Sequence, residues 1–592
     1  MSADPLWLRR RERASRFLLD AAAGAASGAV SGAVSGAAAG AVSGAAPTTQ
    51  TLGRSFRWRR PKACLAAASL MIAGAGLAGC TPGTPDSAGA ASASGAVDPS
   101  ELLPGHWQPA DGVTAEAQEI DLADGSVVID QPGAYRLTGD LLDGQVLVET
   151  AKDGLVQLIL DGANIASSSS SAINIQSADE AVIILAPDSH NSVEDAAVYA
   201  EPDQEPDAAI FSKADLSFAG DGELTVTGRA GDAITSKDGL VIAGGDITIS
   251  AADDAVKGRD YVRLAGGRLT IDAEGDGIKA TNADDPGAGY VLLEGGEVTV
   301  EAATDCVQAA TSALVQAGRA VLTCGDDGIK GDTALTVAGG VIEILASYEG
   351  LEAPVLAITG GDLTITASDD GVNAAASGTE DTTSADPGGT RPGRGGQGGP
   401  GGAGGAMGVQ EGVSLVISGG SLVVKAGSDG IDANGPGIIS GGQVVVYTPA
   451  RAMEGPFDIA ESGPTIEGGL IWAFGLATAD GGGMGGGMGG GMGGGGISAP
   501  TEESTQGWLM GQFDAVVNAD QEVVILDSAG NKIASLALTE AVSSLLFSGD
   551  AILNGDQYQV VGGDQSATVT AGESAAAGWG GGGPAGGRRG RP

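Results

Sequence analysis

Apolar and polar residues alternate in short runs through the middle of the chain, and the runs recur at a near-constant spacing. One unit, Gly244–Asp254, reads Gly-Gly, then an alternating run containing Ile-Thr-Ile-Ser, then an acidic turn. Alternation with a period of two residues predicts β-strand rather than helix, and many of the apolar residues are β-branched. The second acidic position of this turn falls at residues 232, 254, 276, 305, 327, 349, 370 and 429.

The steps between these positions are 22, 22, 29, 22, 22, 21 and 59 residues, and a fixed period in this range indicates a solenoid. The two long steps hold insertions, one around Asn282–Gly289 and one a Gly-rich loop over 374–410. A period of about 22 residues suits one coil of a parallel β-helix, with three short strands and three turns. We therefore predict an all-β solenoid over 118–475, in which Ile, Val and Leu form aligned interior columns.

The segments that flank the regular repeat have different patterns. Residues 120–230 keep the strand character with a looser period, which predicts the first coils and an N-terminal cap. A Gly/Met-rich insertion occupies 476–506, and strand patterns return over 507–562, which predicts a C-terminal β cap over the open edge of the sheet. The composition of 563–592 predicts a disordered tail.

Composition restricts the partners that this chain can have. Its 592 residues include 75 acidic and 30 basic side chains, a net charge of −45 at pH 7. Residues 1–79 hold ten Lys or Arg and three Asp or Glu, so the rest of the chain carries −45 − 7 = −52. Such a surface repels phosphate backbones and attracts divalent cations, so we expect no nucleic-acid partner. Aromatic residues make up 4% of the chain, so its core must be aliphatic.

An export signal lies well inside the N-terminus. Basic residues from Arg54 to Lys62 precede an apolar run over 63–77, which is too short to span a membrane as a helix. The run ends in Leu-Ala-Gly followed by Cys80, which resembles a bacterial lipobox and implies cleavage before Cys80 and lipidation of its thiol. An ordinary signal peptide or a short membrane anchor is the alternative.

We therefore predict a signal peptide over 54–79 and a lipidated flexible tether over 80–117. The protein would be exported and held by its lipid at the extracellular face of the cell membrane. The low-complexity residues 1–53 either follow from a start codon placed too far upstream or form a genuine cytoplasmic extension.

Five motifs resemble a known family in chain order, and they are Gly133–Asp140, Val156–Gly162, Ala209–Lys213, Ser347–Ala353 and Ser368–Ala374. They look like the carbohydrate-binding β-helix lipoproteins, bacterial surface proteins with a pectate-lyase-like right-handed parallel β-helix. The resemblance covers roughly residues 118–562. It implies a right-handed β-helix that binds cellulose-like or acidic polysaccharides such as polygalacturonate, holds calcium, and is not catalytic. We expect a monomer.

Acidic side chains at one coil position would form a column with a spacing of about 4.8 Å. At an effective dielectric near 20, two such charges repel by about 3.5 kcal/mol, so some other group must offset the repulsion. Calcium binds carboxylate oxygens and could bridge adjacent coils. The candidate metal ligands are Asp253, Asp254, Asp276, Asp305, Asp326, Asp327, Glu349, Glu352, Asp369, Asp370, Asn373, Asp429 and Asp432.

The same acidic residues are also consistent with turn formation or with neutralisation by lysine. Asp-Gly is a common turn dipeptide, and lysines three residues after the acid, Lys257, Lys279 and Lys330, could neutralise the column. The alternatives are not separated for coils 253–330. In coils 349–432, Glu352, Asn373 and Asp432 stand where the earlier coils have lysine, and there we favour calcium as the cofactor.

The sequence favours binding over catalysis. A β-helix lyase needs calcium, an acidic sugar and a basic residue, and the three lysines supply that residue type. They obey the repeat, however, whereas a catalytic constellation should break it, so we predict no catalytic residue and keep a calcium-dependent lyase and a structural stalk as alternatives. The lysines Lys257, Lys279 and Lys330 and the tyrosines Tyr261 and Tyr290 are candidate carbohydrate contacts, although each tyrosine could equally be a packing residue.

Two cysteines remain beyond the lipobox. Cys306 and Cys324 lie on successive coils, and an exported protein permits a disulfide between them. Their offset of four positions in the repeat frame argues against reach, and buried free thiols are the alternative.

Overall fold

Short strands separated by tight corners make up almost all of the regular structure. The computed structural model describes residues 116–573 except 152–153, 200–204, 286, 377–408, 450–454, 461–462 and 478–496. Within those residues the one helix is a 3-10 turn over Leu122–Asp124. Accordingly, no helix in the described part of the chain has the length and apolarity needed to cross a membrane.

Several predictions from the sequence concern residues outside this part. The extension over 1–53, the signal peptide over 54–79 and Cys80 all precede residue 116. The tether over 80–117, the loop over 374–410 and the Gly/Met-rich segment are described only at their margins, and residues 574–592 of the tail are outside the described part. These predictions remain predictions.

The first coils contain strands of uneven length, as the looser period before residue 230 suggests. In chain order they are β1 (Gln118–Asp121), β2 (Val127–Ile129), β3 (Gly133–Leu141), β4 (Val146–Glu149), β5 (Leu155–Ala166), β6 (Ile173–Ser177), β7 (Glu180–Leu185), β8 (His190–Glu194), β9 (Ala208–Ser212), β10 (Asp215–Gly220) and β11 (Glu223–Gly228).

The regular coils follow, with three strands in each as far as residue 425. The last two coils have two strands each, because Gly437–Pro449 and Thr465–Leu476 each take the place of two shorter strands. The strands of all these coils are β12 (Asp232–Ser236), β13 (Gly239–Ile242), β14 (Asp246–Ala251), β15 (Val256–Gly258), β16 (Tyr261–Leu264), β17 (Arg268–Ala273), β18 (Ile278–Ala280), β19 (Tyr290–Leu293), β20 (Glu297–Ala302), β21 (Val307–Ala309), β22 (Ser312–Val315), β23 (Arg319–Cys324), β24 (Ile329–Gly331), β25 (Ala334–Val337), β26 (Val341–Ala346), β27 (Leu351–Glu352), β28 (Val355–Ile358), β29 (Asp362–Thr366), β30 (Val372–Ala374), β31 (Ser414–Ile417), β32 (Ser421–Lys425), β33 (Ile431–Ala433), β34 (Gly437–Pro449), β35 (Phe457–Ile459) and β36 (Thr465–Leu476).

The remaining strands belong to the C-terminal segment. They are β37 (Trp508–Val517), β38 (Glu522–Leu526), β39 (Lys532–Ala537), β40 (Val542–Ser548), β41 (Gln557–Gly562) and β42 (Gln565–Thr570). The prediction of a disordered tail from residue 563 is wrong for its first residues, because β42 pairs antiparallel with β41 and extends the C-terminal cap beyond 562.

Equivalent strands of successive coils pair in parallel, and their register follows the repeat. Asp246 pairs with Arg268 and Arg268 with Glu297, which are steps of 22 and 29 residues (268 − 246 and 297 − 268). Of the three strands in each regular coil, the first lies in a 13-stranded parallel sheet and the other two lie in a 25-stranded sheet. The all-β, solenoid-like fold that the sequence predicts is thus confirmed.

Aligned aliphatic columns fill the interior of the stack. Ile247, Leu269 and Val298 occupy one column, at 3% exposure or less, while the threonine that follows each of them faces solvent. Burying a side chain of this size stabilises the fold by about 1.5–3 kcal/mol, so each added coil strengthens its neighbours.

Glycine is required where the coils turn between their second and third strands. Gly267 has φ +79°, and a Cβ at that position would lie 2.8 Å from the carbonyl oxygen of Gly245 in the coil before. Both the left-handed backbone and the close approach of neighbouring coils therefore exclude a side chain there.

Cys306 and Cys324 form a disulfide, with their Cα atoms 5.5 Å apart. Cys324 pairs in register with Ala302, and the chain turns a corner in the three residues between Ala302 and Cys306. In an extended chain the offset of four positions would keep Cys306 and Cys324 apart, but this corner brings them together. The free-thiol alternative is therefore not the one that the structure adopts.

The C-terminal segment ends the parallel stack by pairing in the opposite direction. Strand β40 is antiparallel to both β36 and β37, and β38, β39, β41 and β42 form a separate four-stranded sheet. Alternate residues of β36 face two cores: Ile471 points into the coil interior, and Trp472 packs against Phe547 with 4.4 Å between ring centroids. The outer face of the last coil is therefore apolar and covered.

Candidate functional site

One corner of the regular coils carries a run of buried aspartates that we call the Asp ladder; it consists of Asp232, Asp254, Asp276, Asp305 and Asp327. In each step, an Oδ1 atom accepts a hydrogen bond from the backbone N–H of the next aspartate, at 3.2, 3.0, 3.0 and 2.9 Å. An unpaired buried N–H would cost about 1–3 kcal/mol. The aspartates therefore have a structural role: each carboxylate caps the backbone of the following coil.

Lysines occupy the other side of the ladder in the early coils. Lys257 Nζ lies 2.7 Å from Asp254 Oδ2 and 3.3 Å from Asp232 Oδ2, so it bridges two coils. Lys279 repeats the arrangement with Asp276 and Asp254, at 2.5 and 3.5 Å. Burial acts to raise the pKa of Asp254, but the hydrogen bond and charge of Lys257 outweigh it and hold that pKa below its ordinary value. Lysine neutralisation is thus the arrangement present in these coils.

The lysine column is interrupted at Gln308, which pairs in register with Lys279 and Lys330. Burial, together with the charge of Asp327, raises the pKa of Asp305 to about 7. Carboxylate oxygens of Asp305, Asp326 and Asp327 lie within 4.8 Å of one another and could hold a metal ion. Beside them, the buried Oε1 of Gln308 has no hydrogen-bond partner among the described residues.

A second acidic group follows one coil later, where Glu349 takes the place of a ladder aspartate. Oxygens of Asp327, Glu349 and Glu352 lie within 4.8 Å of one another and could also hold a metal ion, while Lys330 pairs with both Asp327 and Glu352. Burial and the charge of Glu352 raise the pKa of Glu349 to about 9. Such carboxyls keep their protons at neutral pH unless a cation displaces them.

Asn373 completes this second group. Its Nδ2 lies 2.9 Å from both oxygens of Glu349, whereas its Oδ1 is buried without a hydrogen-bond partner among the described residues. Asn373 is 9% exposed, so solvent barely reaches this oxygen. An unsatisfied buried acceptor beside an acidic cluster is the environment that a cation would complete.

The ladder resumes in the last coils without lysine in the adjacent column. Asp370 Oδ1 accepts from the N–H of Asp429 at 2.8 Å, and Asp429 Oδ1 from the N–H of Gly455 at 2.6 Å. The adjacent column runs Asn373, Asp432, Asp458. Burial and like charges raise the pKa of Asp370 to about 7 and that of Asp432 to about 9.

The structure brings together only some of the predicted metal ligands. Asp253 joins Asp232 and Asp254 in a third group within 4.8 Å, where Lys257 is already bound. The predicted ligands that belong to no such three-residue group of described residues are Asp276, Asp369, Asp370, Asp429 and Asp432. The sequence analysis missed Asp458 because no Asp-Gly turn precedes it. The pattern that could have identified it is the triplet Phe-Asp-Ile, which is equivalent to Ile-Asp-Ala around Asp432.

The two tyrosines proposed as carbohydrate contacts are packed against each other. Tyr261 and Tyr290 are 7% and 1% exposed, and their rings stack with 5.3 Å between centroids and 14° between planes. Tyr261 Oη also donates to Asp215 Oδ1 at 3.3 Å. Buried in this way, the rings have no open face on which a sugar could stack, so the structure corresponds to the packing alternative.

The fold and the corner together define an all-β repeat protein whose stacked coils share one corner of buried acidic residues. A family model described as carbohydrate-binding domain-containing protein matches residues 123–371 and 314–452. Because these matches together cover more than half of the chain, the chain belongs to this family of carbohydrate-binding domain-containing proteins.

Two known proteins are similar to parts of the chain. A carbohydrate-binding domain-containing protein of Acetivibrio thermocellus is 36% identical over 166 residues, which make up 26% of this chain and 58% of the relative. The chain thus spans less than two thirds of that relative's length. A solved structure described as a polysaccharide lyase-like protein from C. thermocellum is 31% identical in sequence, with a TM-score of 0.35. The match covers 38% of this chain and 96% of the chain in that structure.

Proposed function

We propose that this protein binds polysaccharide without cleaving it, on a right-handed parallel β-helix that calcium stabilises. The observation that carries the proposal is the family match over 123–452, which coincides with the coils that contain the Asp ladder. The handedness follows from the family resemblance of the sequence motifs. It also agrees with the strong preference of parallel strand crossovers for the right-handed form.

The lysines of the ladder are poorly suited to act as catalytic bases. A base must be deprotonated near neutral pH, within reach of the proton that it removes. Burial acts to lower the pKa of Lys330, but Asp327 and Glu352 raise it above its ordinary value, and Lys257 has the same kind of environment. Both ammonium groups therefore stay charged and bound to carboxylates, which favours binding over lyase chemistry.

Calcium fits the donors of the lysine-poor part of the corner. The candidate ligands there are carboxylate and amide oxygens, which hard divalent cations prefer. Gln308 Oε1 and Asn373 Oδ1 are buried acceptors without partners among the described residues, and the carboxyls of Asp305 and Asp370 in their respective coils have raised pKa values. A bound calcium ion would supply positive charge that holds adjacent coils together, and we assign it no chemical step.

Acidic polysaccharides are the class of ligand that we propose, and calcium would assist their binding. A chain with a net charge of −45 repels a polyuronate at long range. Divalent cations at the corner reduce that repulsion, so binding should weaken when they are removed. The lipobox ending at Cys80 would hold the protein at the extracellular face of the cell membrane.

The test is electrophoresis of the mature chain through gels that contain polygalacturonate or soluble cellulose derivatives, with calcium or with EDTA. We expect retardation by the acidic polymer that EDTA reduces, and no rise in unsaturated-uronate absorbance in the same mixtures. Absence of retardation by every polymer tried would overturn the binding function. A steady rise in absorbance that Lys279→Ala abolishes would instead establish a lyase.

A further inference from the structure

Two longer connections break the regular turns on the same side of the stack and enclose a cleft. The connection between β18 and β19 contributes Asn282 and Asp284, and the segment before β9 contributes Glu205. Between these walls lie Lys237, Lys257 and Arg259, which follow or belong to the short strands of successive coils. The cleft has a volume of about 300 Å³. We call it the loop cleft.

The loop cleft gathers the ends of three cations in an acidic protein. Its lining includes three cations and two carboxylates, in a chain that carries −45. Further carboxylates contact the same cations: Asp207 at Lys237, Asp232 and Asp254 at Lys257, and Asp260 and Asp285 at Arg259. Because these carboxylates cancel any net positive field, an anionic group would be held there by short-range hydrogen bonds to the accessible ends of the cations. The rest of the lining is polar and includes Thr235, Ser236 and Thr281.

The cations are held in place by neighbouring carboxylates while their side chains stay partly accessible. Lys237 Nζ lies 3.0 Å from Asp207 and 3.5 Å from Glu205, and its side chain is 28% exposed. Arg259 contacts Asp260 at 3.0 Å and Asp285 at 3.4 Å, and its side chain is 47% exposed. Side chains oriented before the ligand arrives lose less conformational freedom when it binds.

The wall of the loop cleft is also organised in advance. Asn282 Nδ2 donates to Asp260 at 2.7 Å and to Asp285 at 2.9 Å. Its Oδ1 accepts from the N–H groups of Asp284 and Asp285, both at 3.1 Å. The bond to Asp260 ties the inserted loop to the coil before it, and the other three hold the loop itself in shape.

Size and lining together select the ligand. A volume of about 300 Å³ is at the lower end of small-ligand sites, so the cleft holds about one or two sugar rings rather than a long polymer segment. The lining residues are polar or charged and none is aromatic, so recognition there depends on hydrogen bonds and charge rather than on stacking. A guanidinium and an ammonium suit a carboxylate.

We propose that the loop cleft binds a uronic-acid unit of the polysaccharide, with Lys237 and Arg259 as partners of its carboxylate and the polar wall as partners of its hydroxyl groups. This inference rests on the proposed function and locates its polysaccharide-binding site in the loop cleft. It also places sugar recognition away from Tyr261 and Tyr290, whose rings are buried.

Calorimetric titration of the mature chain with trigalacturonate in EDTA tests the inference, with cellotriose as the neutral probe. EDTA removes any contribution from bound metal, whereas the cations of the cleft remain. We expect the acidic trisaccharide to bind more tightly than the neutral one. The Lys237→Gln/Arg259→Gln double variant should weaken acidic binding at least tenfold, and Arg259→Lys, which keeps the charge but loses the planar fork, a few-fold.

Arg268→Gln is the matched control, because Arg268 is also an exposed arginine, 58% accessible and 2.7 Å from Glu297, but lies on the other sheet. Its affinity should stay within twofold of the wild type. The loop cleft would be ruled out as the uronic-acid site if the folded double variant kept the wild-type affinity. It would also be ruled out if the wild type bound the polymer but not trigalacturonate. In either case the proposed function would still stand. Failure of the wild type to bind any polysaccharide would overturn the function itself.

Discussion

Replacing Asp432 with asparagine should stabilise the metal-free protein at neutral pH, whereas the same change at Asp254 should destabilise it. Both aspartates lie at the acidic corner, one in the coils without lysine and one between two lysines. The chemical change is identical in the two variants. The opposite signs therefore test whether the charge balance along the corner is as the structure describes it.

The magnitude follows from the shifted pKa. An unfolded aspartate has a pKa of about 3.9, whereas burial and the charges of Asp370 and Asp458 raise that of Asp432 to about 9 in the fold. At pH 7 the folded protein must keep this carboxyl protonated, which costs about 1.4 kcal/mol for each pH unit above 3.9. Since neighbouring carboxyls share the burden, we expect Asp432→Asn to recover about 2–4 kcal/mol.

Asp254 has the opposite balance. Its carboxylate accepts from the N–H of Asp276 and contacts both Lys257 and Lys279. Asparagine can still cap the N–H but loses the charge, and hydrogen bonds to charged groups contribute about 1.5–3 kcal/mol. Asp254→Asn should therefore lower the melting temperature by a few degrees.

The assay is thermal unfolding of the wild type and both variants by circular dichroism at pH 7, in EDTA and in calcium. In EDTA, Asp432→Asn should melt above the wild type and Asp254→Asn below it. Calcium at a hundredfold excess over its Kd should add about 2.7 kcal/mol to the wild type and less to Asp432→Asn. If Asp432→Asn melts below the wild type in EDTA, the carboxyl is ionised and satisfied in the fold, and our reasoning about the corner is wrong.

Three further predictions concern the rest of the molecule. In EDTA the melting temperature should fall as pH rises from about 5 to 9, because carboxyls such as Glu349 and Asp432, with pKa values of about 9, bind protons in the folded state only. Calcium should flatten this slope. A melting temperature that rises with pH in EDTA would contradict the prediction. Replacing both Cys306 and Cys324 with alanine should cost about 3 kcal/mol for a crosslink that spans 18 residues. Labelling of Cys306 and Cys324 themselves by a thiol reagent in the denatured, unreduced wild type, located by peptide mapping, would disprove the bond. Cys80→Ser should leave the protein unprocessed or release it from the membrane fraction, and fractionation and migration like the wild type would exclude lipidation.

The sequence alone was sufficient for the architecture, because the solenoid depends on local repetition. Alternation with period two predicts strands, and the spacing of the acidic turns predicts the register that pairs Asp246 with Arg268 and Arg268 with Glu297. Since each coil contacts mainly its neighbours, a constant period almost determines which residues lie side by side. The acidic corner and its lysines could be identified for the same reason.

Only the tertiary structure decided what those residues do. Spacing does not reveal that an aspartate caps the N–H of the next coil, that a corner brings Cys306 to Cys324, or that Tyr261 stacks under Tyr290. The loop cleft was equally hidden, because its walls come from two insertions that interrupt the repeat. A repeat specifies which positions are adjacent, whereas the direction of a side chain at a corner, and the meeting of two irregular loops, depend on how the whole stack folds.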